Sequence, residues 1–154
     1  MIRRIAREMA LQSLFQIDIF EGVRQTLSLE SIGEIDYSDF TVEAALAAAF
    51  SEHEEEGKEA LKAQDYAESL VRGVLEHKEK IDADIAGFAI DWSLERMSAA
   101  DRNILRVAIY EMTYANTPQE PGIAINEAVE IAKAYGTDDS PRFINGVLGK
   151  MVRK

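Results

Sequence analysis

Ser98-Ala99-Ala100-Asp101-Arg102-Asn103-Ile104-Leu105-Arg106-Val107-Ala108-Ile109-Tyr110-Glu111-Met112 is the stretch on which the fold turns. Ser98 is a helix cap, and Asp101, three residues on, sets a carboxylate beside the unpaired N–H groups of a first turn. The helix that follows runs to about Ala115. Ile104, Leu105, Val107, Ala108, Ile109 and Met112 cover most of its circumference. A helix that is apolar nearly all round belongs at the centre of a core. Beyond it, Asn116, Pro118, Pro121 and Gly122 make a loop. Ile125, Ala128, Val129 and Ala132 stripe the next helix, which stops at Gly136. After the turn Thr137-Asp138-Asp139, Ser140 caps a last helix. Pro141 takes its first position, where a missing N–H costs nothing. Ile144, Val147, Leu148 and Met151 form its buried face.

Upstream, the same period of three and four recurs. Leu61, Leu70, Val74 and Leu75 mark one apolar face, and Ile81, Ile85, Phe88 and Ala89 another. Residues 58 to about 92 therefore read as two helices meeting near residues 77–80. The Ala-rich run 42–50 has high helix propensity, and 51–57 is an acidic break or exposed helix end. Residues 3–20 form the first helix, ended by Gly22, with a loop-rich stretch to about Asp39. Alternating strand patterns are rare. The predicted class is all-α with about seven helices, in one domain over 1–154 or two small packed halves.

The chain has 154 residues, 17 Lys+Arg and 28 Asp+Glu, for a formal net charge of −11. At 47% hydrophobic it can build a core, which separates it from disordered acidic tails. Nucleic-acid domains usually carry a basic footprint, so −11 argues against one. The charge is uneven, however. Twelve of the acids and two of the bases lie within 30–68, leaving −10 there and −1 elsewhere. With no cysteine, disulfides, thiolate catalysis and Cys-ligated zinc are excluded, and an intracellular setting fits. No apolar run is long enough to span a membrane. Arg7, Glu8, Gln12 and Gln16 interrupt the N-terminal apolar residues, so no signal peptide is expected.

Catalytic and metal patterns are missing. His53 sits among Glu52, Glu54, Glu55 and Glu56, and His77 among Glu76, Lys78 and Glu79. Neither has metal-ligand spacing, and each reads as a solvated surface residue. The acidic run lacks the offsets of a calcium loop. Gly146-Val-Leu-Gly149-Lys150 is followed by Met151, where a phosphate loop needs Ser or Thr. No nucleophile–base arrangement can be assembled. The expectation is a protein that is not an enzyme, with no metal and no cofactor.

Three groups carry binding chemistry. Taking Arg3 as zero, about 100° per helical residue puts Arg7 at about 40°, Arg4 at about 100° and Phe15 at about 120°. Arginines to neutralise phosphates and a ring beyond them to stack on an unpaired base suit single-stranded RNA. Alternatively, the helix is an ordinary amphipathic one with Phe15 in the core. The second group is Asp139-Ser140-Pro141-Arg142-Phe143-Ile144-Asn145-Gly146. A helix N-terminus offers N–H groups to an anion. Arg142 adds a cation, Phe143 a stacking face and Asp139 an acceptor for base amino groups. Read more simply, Asp139 only favours the helix dipole and Ser140 only caps. The third is Arg102 and Arg106, either ion-paired with Asp101 or another acid, or presented at a groove. Tyr110, Glu111 and Tyr114 suit a protein interface or an interior position equally.

The first helix, Arg3-Arg4-Ile5-Ala6-Arg7-Glu8-Met9-Ala10-Leu11-Gln12-Ser13-Leu14-Phe15-Gln16, resembles the opening helix of the NusB family of bacterial transcription antitermination factors. So do residues 94–112, with Asp101-Arg102-Asn103-Ile104-Leu105-Arg106 at their centre. The likeness continues through Ala124-Ile125-Asn126-Glu127-Ala128-Val129-Glu130-Ile131-Ala132-Lys133 and Asp139-Ser140-Pro141-Arg142-Phe143-Ile144-Asn145-Gly146-Val147-Leu148. About half the chain is covered closely; the acidic, variable segment of about 22–65 is not.

The resemblance implies two perpendicular packed helical subdomains, about 1–80 and about 81–154. It implies a cytoplasmic, non-enzymatic factor that binds boxA-type single-stranded RNA of nascent ribosomal RNA together with NusE, a ribosomal protein. Within the transcription elongation complex it would help RNA polymerase resist termination. On this likeness the RNA-binding residues are Arg3, Arg4, Arg7, Phe15, Arg106, Asp139 and Phe143, and Glu111 is the partner-binding candidate. A protein-only adaptor, or an autoinhibited homodimer with little RNA affinity of its own, is the alternative. The short basic start and the acidic segment motivate it.

Overall fold

In a computed structural model, residues 2–26, 38–89 and 92–153 are described. They form seven α-helices: α1 (Ile2–Thr26), α2 (Ser38–Ser51), α3 (Lys58–Glu76), α4 (Lys78–Phe88), α5 (Ala99–Ile109), α6 (Pro121–Tyr135) and α7 (Ser140–Arg153). No strand occurs among the described residues, as the 3.6-residue periodicity predicts. No helix among them is long and apolar enough to cross a membrane. The loop-rich stretch expected after Gly22 lies mostly outside the described residues. Two compact units result, residues 1–71 and 72–154.

The first unit is built on alanine. Ala49 of α2 and Ala60, Ala63 and Ala67 of α3 are buried with Ile5, Ala6 and Met9 of α1. Ile2, Leu46, Phe50 and Tyr66 pack against that cluster. Alanine orders without side-chain entropy cost and favours helix. Helix α1 runs through Gly22 to Thr26, longer than the expected 3–20. A glycine inside a helix costs only about 1 kcal/mol and ends it only when the chain turns left-handed there. That turn occurs instead at Gly57, whose φ is +54°. It closes the 3-10 turn Glu54–Glu56 between α2 and α3.

The second unit centres on α5. Asn103 through Ile109 are seven consecutive buried residues, and α5 touches α4, α6 and α7. Ser98 caps it, its Oγ accepting from the Asp101 N–H at 3.1 Å. Asp101 Oδ1 is buried without a hydrogen-bond partner, and its carboxylate sits at the positive end of the helix dipole. After Ile109 the helix widens into the π-turn Tyr110–Tyr114. There the Ala115 N–H reaches Tyr110 O at 2.9 Å. The wider turn aims two tyrosine rings at His77 between α3 and α4, with centroids 5.9 Å and 5.2 Å away.

Two local expectations shift. Ser140 does not cap α7. It is its first residue, buried, with Oγ accepting from the Thr137 N–H at 2.9 Å. The capping position belongs to Asp139, whose carbonyl accepts from the Phe143 N–H at 3.0 Å. Pro141 is therefore second in the helix, where its missing N–H is still one of the unpaired ones. Gly136 is required by this turn, because a Cβ there would overlap the Ser140 side chain.

Candidate nucleic-acid interface

In the first unit, the three N-terminal arginines of α1 are not one exposed stripe. Arg3 is exposed, Arg4 half-buried and Arg7 buried, at 5%. The Arg3 guanidinium lies over the Tyr66 ring, 4.3 Å from its centroid, and Nη1 donates to the Tyr66 hydroxyl at 3.4 Å. A cation over an aromatic face is held by the ring quadrupole, worth about 0.5–1 kcal/mol at an exposed site. Tyr66 thus fixes Arg3 toward solvent at the start of the helix.

Phe15 on the same helix is 41% exposed. The interior alternative for it fails: its ring is available to a ligand or partner. Ile19 and Phe20 are exposed as well.

His53 corrects the expectation of a solvated residue. It is 3% exposed. Nε2 lies 3.0 Å from Gln12 Oε1 of α1, and Nδ1 3.3 Å from Glu56 Oε1, each within hydrogen-bond reach. The ring pins the turn after α2 onto α1, while Glu52, Glu54 and Glu55 around it are exposed. Nearby Glu8 is pushed above the ordinary carboxylate range. Burial is the main cause and Glu56 adds to it, while His53 and Arg4 oppose it. His77 is likewise not solvated: it is half-buried, and its Nδ1–H donates to Gly73 O at 2.9 Å.

In the second unit the first turn of α7 gathers the candidates. Asp139 and Arg142 are exposed and Phe143 is half-buried. The Phe143 ring meets the Trp92 ring edge-on, with centroids 6.2 Å apart and planes at 72°. Arg106 is placed differently. It is buried, with Nε donating to Asp82 Oδ1 at 2.8 Å and Nη2 to Asp82 Oδ2 at 3.0 Å. Nη1 donates to Asn103 Oδ1 at 3.0 Å. Its acid is thus Asp82 of α4, 24 residues away, and not Asp101. Arg102 reaches back to the Leu94 carbonyl at 3.0 Å. Glu111 is 2% exposed, so any part it has in a partner surface passes through the residues around it. The Tyr114 hydroxyl donates to Asp84 at 2.8 Å. Burial and that bond push its pKa up to about 12.

Spacing did not single out Trp92. Its signal was a lone tryptophan between the polar residues Asp91 and Ser93, just ahead of the capped helix. Among the described residues no cluster of His, Asp and Glu could hold a metal ion.

The NusB family profile matches residues 4–153. A transcription antitermination protein NusB from Symbiobacterium thermophilum is 40% identical over 158 residues, covering 99% of this chain and 90% of that one. A solved structure of NusB from T. maritima superposes with a TM-score of 0.74 at 32% identity, over 99% of this chain and 91% of that one. A structure of the antitermination factors NusB and NusE in complex with dsRNA gives a TM-score of 0.72 at 24% identity. It covers 99% of this chain and 96% of that one.

Proposed function

The chain belongs to the NusB family, and from that membership we propose that it is a transcription antitermination factor acting in the cytoplasm. It binds boxA-type single-stranded RNA of nascent ribosomal RNA together with NusE, and helps RNA polymerase in the elongation complex resist termination. One related complex holds NusB, NusE and dsRNA. The observation that carries the reading is the first turn of α7. Asp139, Arg142 and Phe143 bring an acceptor, a cation and a ring to one helix N-terminus. Arg3 and Arg4 at the start of α1 add phosphate contacts, and Phe15 a second exposed ring. Arg7, in the first unit, and Arg106, in the second, are buried and act within their own units rather than by touching RNA.

The test is the salt dependence of boxA-type RNA binding. Each phosphate contact on a single strand contributes about 0.7 to the slope of log affinity against log salt. The double variant Arg3→Ala, Arg4→Ala should weaken binding and flatten that slope by about 1 to 1.5. An unchanged slope would remove these arginines from the interface.

A second reading, a protein-only adaptor or autoinhibited homodimer, is favoured by Phe15, Ile19 and Phe20 standing exposed along one helix. It expects a stable protein complex, seen as doubled mass or co-elution with NusE, and no RNA shift in either state.

A further inference from the structure

We propose that Trp92 is an RNA-stacking residue, forming with Phe143 a two-ring corner that takes unpaired bases; this rests on the RNA-binding reading above. The indole stands just before the 3-10 turn Leu94–Arg96. The backbone N–H of Trp92 donates to Ala89 O at 3.1 Å, which fixes the main chain from which the ring projects. Trp92 is 53% exposed, although its edge-to-face contact with Phe143 holds the ring. An exposed indole held against a second ring offers a ligand a large apolar surface at little entropic cost.

The geometry selects the ligand. Neighbouring bases in a duplex are parallel, and they offer nothing to two faces set at 72°. Unpaired nucleotides can splay by that angle, one base on each ring. The charge agrees. Arg96 is exposed four residues after Trp92, and Arg142 is exposed immediately before Phe143. The N–H groups of the first turn of α7 add a partial positive charge for phosphate. Exposed Glu95 and Asp139 are acceptors for base amino groups and keep phosphates to the arginine side.

Trp92 is the only tryptophan in the chain, so its emission reports the contact without any substitution. The full chain is titrated with a labelled boxA-type single strand, following label anisotropy and tryptophan emission together. Emission should quench in step with binding, and the same RNA annealed to its complement should quench much less. Trp92→Ala should lose about 5- to 150-fold in affinity, the range of one base–aromatic stack. Trp92→Phe should keep most of it, with thermal midpoints confirming that both variants fold. RNA binding with unchanged emission and undiminished Trp92→Ala affinity overturns the proposal and leaves the RNA function standing. Equal quenching by the duplex overturns the corner. Emission that responds to NusE but not to RNA assigns Trp92 to a protein contact and overturns it too. No RNA binding by parent or variants, with or without NusE, means that the functional reading itself has failed, and the proposal with it.

Discussion

Arg102 and Arg106 lie one turn apart on α5 and do different things. Arg106 is spent on Asp82 and Asn103. Arg106 is buried and Asp82 partly exposed, so removing the arginine from this bidentate pair leaves a half-buried charge uncompensated, at about 3 kcal/mol, the low end for such pairs. Arg106→Ala should therefore lower the thermal midpoint by about 6–12 °C, with a smaller loss for Arg102→Ala. Equal, slight effects would contradict the assignment. The sequence showed two arginines on an apolar helix, but not that the acid for one lay 24 residues back. His53 was misread for a related reason. Charged neighbours in the chain do not say which way a turn folds, and this one folds inward.

Glu8 gives a pH test at the same scale. Its folded pKa is raised above 4.5, chiefly by burial. Its stabilising contribution is therefore complete below about pH 4.5 and is lost as pH rises through the folded value. Glu8→Gln should raise the thermal midpoint near pH 7, with that advantage vanishing below about pH 4.5. A pH-independent difference would refute the burial argument.

At the scale of elements, most of the fold was legible. The spacing in α5, α6 and α7 and the Ser98 cap carry through to the structure. What was not legible depends on three-dimensional fit. The stretch read as one helix to about Ala115 becomes α5 plus a π-turn. This widening seats the Tyr110 ring against the backbone of α3. A Cβ at Gly73 would overlap that ring. Gly73→Ala should then displace the π-turn and cost about 1–3 kcal/mol, as overpacking does. A control, Gly87→Ala, meets nothing within 4 Å and should be neutral or slightly stabilising in denaturant titration. Equal costs at the two positions would count against the close approach. For the candidate site, residue types and spacing proposed Arg3, Phe15, Asp139 and Phe143, whose side chains are exposed or half-buried. They could not distinguish Arg7, which is buried, from Arg3, which is not. They also did not raise Trp92 as a candidate, because it has no helical register to place it.

Over the whole molecule, the charge of −11 no longer argues against RNA, because it is concentrated in one segment. That segment is also structural. Val42, Ala45, Ala49, Ala60, Ala63 and Ala67 within it are buried, while Glu52, Glu54 and Glu55 face solvent. These three acids can therefore be neutralised without disturbing the core. Glu→Gln at 52, 54 and 55 should leave the thermal midpoint nearly unchanged. If the segment tunes RNA affinity, binding at low salt should tighten, and the gain should fade as salt screens it. No gain would confine the acids to solubility or to protein partners.

The most direct measurement is boxA-type RNA binding by the unmodified chain, with and without NusE, titrated against salt. The chain alone should bind weakly and with strong salt dependence, and markedly more tightly with NusE present. A stable complex with NusE that fails to bind this RNA at any salt concentration would contradict the RNA-binding reading.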